Sequence, residues 1–441
     1  MPGTAVVQSG NYLLEIDAGF QIDAFLLDDP TAGILDNTTY VLDGTTSFAD
    51  VTSGTLNIDI TRGRKDTGDQ FAAGTMNFTL NDTLADGVFN PFDTTSPYYD
   101  TNADVPGLAP MRQVRLRRYD SLGAAEYLFK GYVVNYNYNF ELGGLNTVSV
   151  NCADEFYLLA QTAMNELNVG PELSGARIST VLDLPEVDYP TGVTARNIAT
   201  GTVNLGHSSE YTVPAGTNTL AYITQINETA EFGRVFMSRA GVFTFQNRIG
   251  NTISGSVADF HDDGTNLPYD QVGITFEANA VTNRVVVTGL NGNSSTASDT
   301  ASIATYFIQN NSITNSLLHD ATEISTAASY LLAPDPEARY TDVSTQFAML
   351  TTAERDTVAI IDIGDTITIQ KSFQTATGTS SLAQELAVEG VDHHINFSTG
   401  HRVHYWTSPT TIVYELVLDS SLYGTLDGLN VLGSVSYTHL T

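Results

Sequence analysis

Residues 217–248 read TNTLAYITQINETAEFGRVFMSRAGVFTFQNR, and this stretch carries the two periodicities that decide the fold. Its first half repeats an apolar side chain every three or four positions, at Leu220, Ile223, Ile226 and Ala230. That spacing predicts a helix over 218–231, and Gly233 is expected to end it because glycine enters a left-handed cap without strain. The second half alternates around Gly241, which predicts a hairpin over 234–248. A helix this short is marginal alone, so its apolar face should dock onto a sheet.

Period-two alternation dominates the sequence on both sides of this unit. In the clearest strand one face carries Tyr132, Val134, Tyr136, Tyr138 and Phe140, and the other carries Asn135, Asn137 and Asn139. Regular strands joined by Gly and Asn turns are typical of an antiparallel barrel or sandwich. We therefore predict a mainly β protein with α/β inserts, in which antiparallel β-barrel or sandwich modules are joined by a small α/β unit.

Changes in pattern divide the chain into four units and a terminal tail. We expect an N-terminal arm (1–45), a first β-barrel module ending in a short helix (46–165), the small α/β unit (166–290) and a second β module (291–433). In the second module Asp320 and Glu323 form a capping pair that begins a helix over 320–332. Its predicted strands cover 343–350, 358–370, 386–397, 401–406 and 411–418. Residues 289–300 are small and polar and are interpreted as a linker or long loop.

The last eight residues, 434–441, read SVSYTHLT. They resemble the translation of a sequencing adaptor, so we expect them to be non-native. The native chain then either stops near residue 433 or continues beyond it with another sequence.

The charge balance excludes some classes of partner. The chain has 441 residues with 18 Lys and Arg against 50 Asp and Glu, a formal net charge of −32. Stable binding to nucleic acids or to anionic membranes needs positive charge, so neither is expected. No run of 18 apolar residues is present, so we predict no membrane span, and no signal peptide is recognised. The single cysteine, Cys152, excludes an intrachain disulfide and is expected to be a small buried side chain.

No motif in the sequence predicts a catalytic, cofactor or metal site. His393, His394, His401 and His404 are close in sequence, but adjacent strand residues point to opposite faces, so at most two share a face. Catalytic zinc usually needs three protein ligands. The segment 206–210, GHSSE, begins like a nucleophile elbow but has glutamate where the final glycine should be. We therefore predict that the protein is not an enzyme.

The basic residues are concentrated in the first β module. Seven of the 18 are Arg62, Arg64, Lys65, Arg112, Arg115, Arg117 and Arg118. On an acidic protein such a cluster forms either internal ion pairs or a docking surface for an acidic neighbour, which includes another copy of the chain. The residues proposed for a subunit interface are Arg62, Arg64, Lys65, Arg115 and Arg117.

A series of short motifs resembles the minor tail proteins of long-tailed bacteriophages. In order they are DVTS (50–53), ITRGR (60–64), AGT (73–75), NPFD (90–93), SPYY (96–99), PMRQVR (110–115), FKGYV (129–133), NRV (283–285), LLA (331–333), VEGV (388–391) and LVLD (416–419). The likeness covers nearly all of the chain before residue 433 and departs at 290–300.

The resemblance implies a tail-tip or baseplate hub of the virion, assembled in the bacterial host cytoplasm. Its β-barrel modules would be joined by α/β inserts, and copies of the chain would assemble as a ring, commonly a trimer, beneath the tail tube. The implied partners are the tape-measure protein, the tail tube or distal tail ring, and further tip proteins. It implies no catalytic residues and no cofactor. An acidic inner wall of such a ring would let DNA pass without adhering.

Two alternatives stay open. A tail-associated glycan-cleaving enzyme would have a deep cleft with two facing carboxylates. A receptor-binding module would recognise the host surface and would not need to bind other tail proteins.

Overall fold

The computed structural model describes most of the chain. The described residues are 11–22, 30, 33–34, 47–65, 69–83, 85–206, 211–248, 256–336, 338–376 and 378–409. Most of the predicted arm, the predicted strand at 411–418 and the tail at 434–441 lie outside them. The boundaries proposed for the units of the chain stay a prediction.

Strands and short helices alternate along the described residues. The first part contains β1 (Tyr12–Asp17), β2 (Phe48–Asp50), β3 (Thr55–Gly63), β4 (Ala72–Asn81), β5 (Tyr99–Asp100), β6 (Val105–Pro106), β7 (Gln113–Tyr119), β8 (Ala125–Asn139), β9 (Thr147–Ala153) and α1 (Phe156–Gln161). The central part contains β10 (Leu167–Val169), β11 (Glu172–Leu173), α2 (Ser174–Leu182), β12 (Arg196–Ile198), β13 (Asn204–Leu205), β14 (Tyr211–Val213), α3 (Thr219–Ile226), β15 (Arg234–Met237) and β16 (Phe243–Gln246). The last part contains β17 (Ala258–His261), β18 (Gln271–Thr275), β19 (Arg284–Gly289), β20 (Ser294–Ser298), α4 (Thr300–Tyr306), β21 (Asn310–Ser316), α5 (Ala321–Tyr330), β22 (Arg339–Gln346), α6 (Thr352–Ile360), β23 (Thr366–Thr375), β24 (Gly378–Asn396) and β25 (Gly400–Pro409).

One large sheet contains strands from both ends of the chain. Its order is β18-β22-β25-β24-β3-β4-β9-β8-β7-β1-β2, with β23 on β24 and β17 on β23. Neighbours are antiparallel except β17 and β23. The two predicted β modules meet where β3 pairs with β24, with Ile60 opposite His393. The predicted mainly β, antiparallel class with α/β inserts is therefore confirmed. Within the described residues the strand path has two ends and closes no barrel.

Alternation in the sequence decides which face of this sheet is buried. Ile58 and Ile60 of β3 and Met76 and Phe78 of β4 are all at most 1% exposed. The residues between them, such as Asp59, point away from that core, as period-two geometry requires. Cys152 lies on the same buried face in β9 and is 2% exposed, as predicted.

The central helix and hairpin have the predicted periods but a different helix end. Helix α3 is followed by a π-helical turn, Asn227–Glu231, and the left-handed residue is Phe232, with φ of 57°. Gly233 was therefore wrongly expected to be the left-handed residue. It is required for another reason, since a Cβ there would meet the Gln246 carbonyl oxygen at 2.0 Å. The hairpin forms as predicted, with Val235 opposite Phe245.

Two further predictions were wrong in the last third. Residues predicted as a linker contain strand β20, which pairs with β19, and the start of α4. The small polar residues of β20 carry no hydrophobic alternation, so no pattern in the sequence predicts a strand there. The prediction of a strand over 358–370 is wrong in its first half, because 358–360 are the last turn of helix α6, and its second half, 366–370, is the start of β23. Thr351 and Glu354 form a capping box at the start of α6. Helix α5 is present as Ala321–Tyr330 with Asp320 as its N-cap.

Candidate functional site

Two arginines from different parts of the fold hold one buried glutamate. Glu389 of β24 is 1% exposed, and it accepts hydrogen bonds from Arg64 at 2.8 Å and from Arg234 at 2.8 and 3.0 Å. Ser408 donates a further bond at 2.6 Å. Burial alone would raise the pKa of Glu389, but the charges of Arg234 and Arg64 outweigh it and lower that pKa. This cluster joins the end of β3, the central hairpin and β24.

A second ion pair lies beside it. Arg62 is buried and donates to Asp362 at 2.6 Å. Asp362 also accepts from the backbone N–H of Arg239 at 2.8 Å, which ties the hairpin turn to the sheet. Nearby, Asp154 accepts from the backbone N–H groups of Gly74 and Phe156. Burial raises the pKa of Asp154 to about 7 despite these bonds.

The remaining candidate cations also contact groups within the chain. Glu15 of β1 accepts from Arg115 at 2.8 and 3.0 Å and from Arg117 at 2.6 Å. Burial alone would raise the pKa of Glu15, but the hydrogen bonds and charges of Arg115 and Arg117 outweigh this effect and lower that pKa. The Lys65 ammonium lies 5.0 Å from the centre of the Trp406 ring. The five candidate residues thus form two groups, on β3 and on β7, and four of them form ion pairs within the chain. Their role at a subunit interface stays a prediction.

The four late histidines separate into a buried pair and two surface contacts. The Tyr12 hydroxyl lies 2.8 Å from His401 Nδ1, and His401 Nε2 lies 3.0 Å from His393 Nδ1. Burial lowers the pKa of His393 to about 3 and that of His401 well below its ordinary value. Both rings are therefore neutral near pH 7, and each contact is a hydrogen bond between neutral groups.

The other two histidines contact acids on other strands. His394 pairs with Asp59, and His404 Nε2 lies 3.1 Å from Asp342. In the described part of the chain no three His, Cys, Asp or Glu side chains converge in a group that would hold a metal. Burial raises the pKa of the Cys152 thiol, so this side chain is not an activated nucleophile. Of the segment 206–210 only Gly206 lies within the described residues.

The α/β unit has a buried carboxylate that no pattern in the sequence singles out. Glu231 is fully buried and accepts from the hydroxyls of Ser174 and Thr202, each at 2.6 Å. The backbone N–H groups of Thr202 and Val203 donate to the same carboxylate at 3.0 and 3.2 Å. This residue connects α2, α3 and the loop before β13, and its role is to organise the unit.

A groove of 570 Å³ lies between β4, α1 and α3. Among its lining residues Glu228 is the one carboxylate, and burial raises its pKa. The facing carboxylate pair of a glycan-cleaving enzyme is therefore not found in this groove. None of the helices in the described residues has the length and hydrophobicity that crossing a bilayer requires.

The turn between β8 and β9 carries exposed apolar side chains that were not selected from the sequence. Phe140 is 51%, Leu142 109% and Leu145 52% exposed. The signal was present in the sequence, because leucines at 142 and 145 are unusual choices for a glycine-rich turn.

Known structures share this arrangement of strands. No protein-family model matches the sequence, and no curated protein is similar to it at a significant level. A tail protein from Neisseria meningitidis MC58 matches 90% of this chain and 97% of its own, with a TM-score of 0.54 and 11% identity. The 43 kDa tail protein of prophage MuSo2 from Shewanella oneidensis matches 90% of this chain and 96% of its own, with a TM-score of 0.52 and 9% identity.

The chain has the fold of these two phage tail proteins. The resemblance seen in the short sequence motifs is thus matched at the level of the whole fold. In this tail-protein fold the Glu389 cluster lies at the junction of β3, β15 and β24, and the exposed turn 140–146 lies at one end of β8. The first feature is buried, and the second is exposed to solvent.

Proposed function

We propose that this protein is a structural component of a bacteriophage tail tip, a hub or baseplate protein that acts by assembly and not by catalysis. The observation that carries the proposal is the fold, which matches a tail protein over 90% of this chain and 97% of that one. A match over nearly the full length of both chains supports a common architectural role more strongly than a match over one module.

The edges of the large sheet support a role in assembly. Strands β18 and β2 end the strand path, so each has one side without a strand partner among the described residues. Ile274 in β18 and Phe276 just after it are 40% and 70% exposed. Natural proteins usually protect such edges, and an unprotected edge is a template for pairing with another chain.

The proposed partners are those of a tail-tip hub. They are the tail tube or distal tail ring, the tape-measure protein and further tip proteins, with a homotrimeric ring as the favoured state of the chain itself. The net charge of −32 suggests an acidic inner wall past which DNA moves without adhering. A ring structure with a neutral or basic inner wall would remove that part of the proposal.

The mass of the purified chain in solution tests the assembly role. The chain is measured by light scattering alone and with the tail-tube protein encoded beside it, using a form that ends at Gly433. We expect a trimer, or a monomer that forms a ring when the tail-tube protein is added. A chain that stays monomeric, does not bind the tail-tube protein and cleaves or binds cell-wall glycan would contradict the proposal.

A further inference from the structure

The turn between β8 and β9 exposes a compact apolar surface. Its three large side chains, Phe140, Leu142 and Leu145, are each at least half exposed, and Leu142 makes its full surface available to solvent. Single exposed apolar residues are ordinary on soluble proteins, but several within one turn form a patch of the kind found at interaction sites.

This turn is held in place by its surroundings. The rings of Tyr136, Tyr138 and Phe140 stack along one face of β8, with centroids 6.2 and 6.1 Å apart. The Asn146 backbone N–H donates to the Thr83 hydroxyl at 2.7 Å, which ties the turn to the loop that follows β4. The stacked Phe140 ring should therefore lose little conformational entropy when a partner binds.

The neighbouring loop, residues 85–111, belongs to the same end of the molecule. Phe89 and Tyr98 of this loop enclose a small cavity together with Tyr138 of β8. Pro91 and Asp93 line that cavity as well, and Phe92 between them is 83% exposed. The loop therefore packs against Tyr138 of β8 and presents one further exposed apolar side chain. We call residues 85–111 and 139–146 together the acidic apolar tip.

Charge on the tip has one sign. Its carboxylates are Asp86, Asp93, Asp100, Asp104 and Glu141. Within the described residues none of the five forms an ion pair, and the hydrogen-bond donors that contact them are neutral, such as the Tyr99 hydroxyl, which donates to Asp104 at 2.9 Å. The sequence contains no Lys, Arg or His between Lys65 and Arg112, or between Lys130 and Arg177. The tip is therefore acidic; the neighbouring Arg112 donates to the Gly107 carbonyl oxygen at 3.3 Å and, among the described residues, forms no ion pair with the five carboxylates.

We propose that the acidic apolar tip binds a partner protein that presents Lys and Arg side chains around an apolar pocket. Such a surface would bury Leu142 and Phe140 while its cations contact the carboxylates of the tip. This charge complementarity would also speed association. The inference rests on the proposed function in one respect, namely that the partner is another protein of the tail.

A second copy of the chain fits this surface poorly. If two copies met through this same face, the carboxylates of one copy would lie against those of the other and repel them. Contact through another face would need free cations, and most of those described are engaged within the chain. Arg64 and Arg234 pair with Glu389, Arg115 pairs with Glu15, and the Arg248 guanidinium lies over the Tyr330 ring.

Binding to purified tail proteins tests this proposal. Each tail protein encoded beside this chain is immobilised in turn, and its Kd for the full chain is measured at low and high salt. The apolar variant is Phe140→Ser/Leu142→Ser/Leu145→Ser, with Leu142→Ser alone as a milder form. The charge variant is Asp100→Lys/Asp104→Lys/Glu141→Lys. The control is Leu122→Ser, since Leu122 is 91% exposed in the turn at the other end of β8.

We expect one tail protein to bind, with an affinity that falls as salt rises. The apolar variant should bind about 30-fold or more weakly, the loss typical of an interface hot spot, and the charge variant should lose binding as well. Leu122→Ser should bind within about twofold of the unmodified chain, as substitutions outside an interface hot spot do. Thermal unfolding shows that the variants are folded, because exposed positions rarely affect stability.

Three results would overturn the proposal. If a tail protein binds all variants equally, the chain assembles through another surface and the proposed function stands. If the unmodified chain self-associates and the apolar variant does not, the occupant is a second copy. If no tail protein binds the unmodified chain and the chain is missing from assembled tails, the proposed function fails as well.

Discussion

At the scale of single residues, two buried carboxylates each have several hydrogen-bond donors. Glu389 accepts from two arginines and a serine, and Glu231 accepts from hydroxyls and backbone N–H groups. A buried ion pair of this kind adds little stability compared with apolar side chains of similar volume. Removal of one partner, however, leaves the other charge buried and uncompensated. Such residues therefore matter most when they are changed singly.

Glu389→Ala should be strongly destabilising. It leaves the Arg64 and Arg234 guanidinium groups without their shared counter-charge, so the free energy of unfolding should fall by about 3–5 kcal/mol in urea titrations. Glu126→Ala is the matched control, because Glu126 is 40% exposed in its pair with Arg239 and should cost less than about 1 kcal/mol. Equal losses in the two variants would show that burial of the Glu389 cluster does not govern its contribution.

The buried histidine pair should make the protein less stable in mild acid. The pKa of His393 falls from 6.5 to about 3 on folding, so below pH 6.5 the unfolded chain binds a proton that the folded chain does not. Stability from this group is full above pH 6.5 and declines as the pH falls toward 3. Asp154, whose pKa is raised, acts in the opposite direction between its ordinary value and about 7.

His393→Gln isolates the histidine contribution. Between pH 7 and about pH 4.5 the unmodified protein should lose about 2 kcal/mol more stability than this variant. Parallel pH profiles for the unmodified protein and His393→Gln would be inconsistent with a neutral buried imidazole.

At the scale of elements, local sequence patterns predicted the strands that bury one face. They missed the elements that depend on contacts with residues far away in the sequence. The strands β3, β4 and β8 were readable because alternate residues such as Ile58 and Phe78 are buried. Strand β20 was missed because Ser295 and Ala297 face a helix without forming a strong apolar row. The capping box at Thr351 signalled α6, but the apolar residues after it were interpreted as a strand.

For the candidate site, too, the sequence predicted one part of the arrangement, and contacts between distant residues decided the rest. The sequence indicated that arginines gather in the first module, and it left ion pairing and docking both open. The partners Glu389 and Arg64 are 325 positions apart, so no local spacing connects them. Only the pairing of β3 with β24 brings them together.

Gly233→Ala tests the corrected account of the helix end. The backbone of Gly233 is not in the left-handed region, but its Cβ would meet the Gln246 oxygen at 2.0 Å across the hairpin. The variant should lose about 1–3 kcal/mol of stability, as overpacked sites do. Gly170→Ala is a fair control, since a Cβ there meets nothing within 4 Å, and it should change stability by less than about 0.5 kcal/mol. A neutral Gly233→Ala would mean that the hairpin moves away at little cost.

At the scale of the whole molecule, one sheet joins the two ends of the chain, and charge is distributed unevenly over it. Many of the arginines are neutralised near the junction of β3, β15 and β24 and along β7. The five carboxylates of the acidic apolar tip form no ion pair among the described residues. Paired charge inside and acidic and apolar side chains at one end fit the proposed role of a component that is held between other proteins.

The location of the chain in assembled particles tests the central claim most directly. Particles from cells that carry the gene are labelled with gold-conjugated antibodies against this chain and viewed by electron microscopy. We expect gold at the distal end of the tails and none on particles that lack tails. Unlabelled tails, with the chain recovered only as free protein, would contradict a structural role in the tail tip.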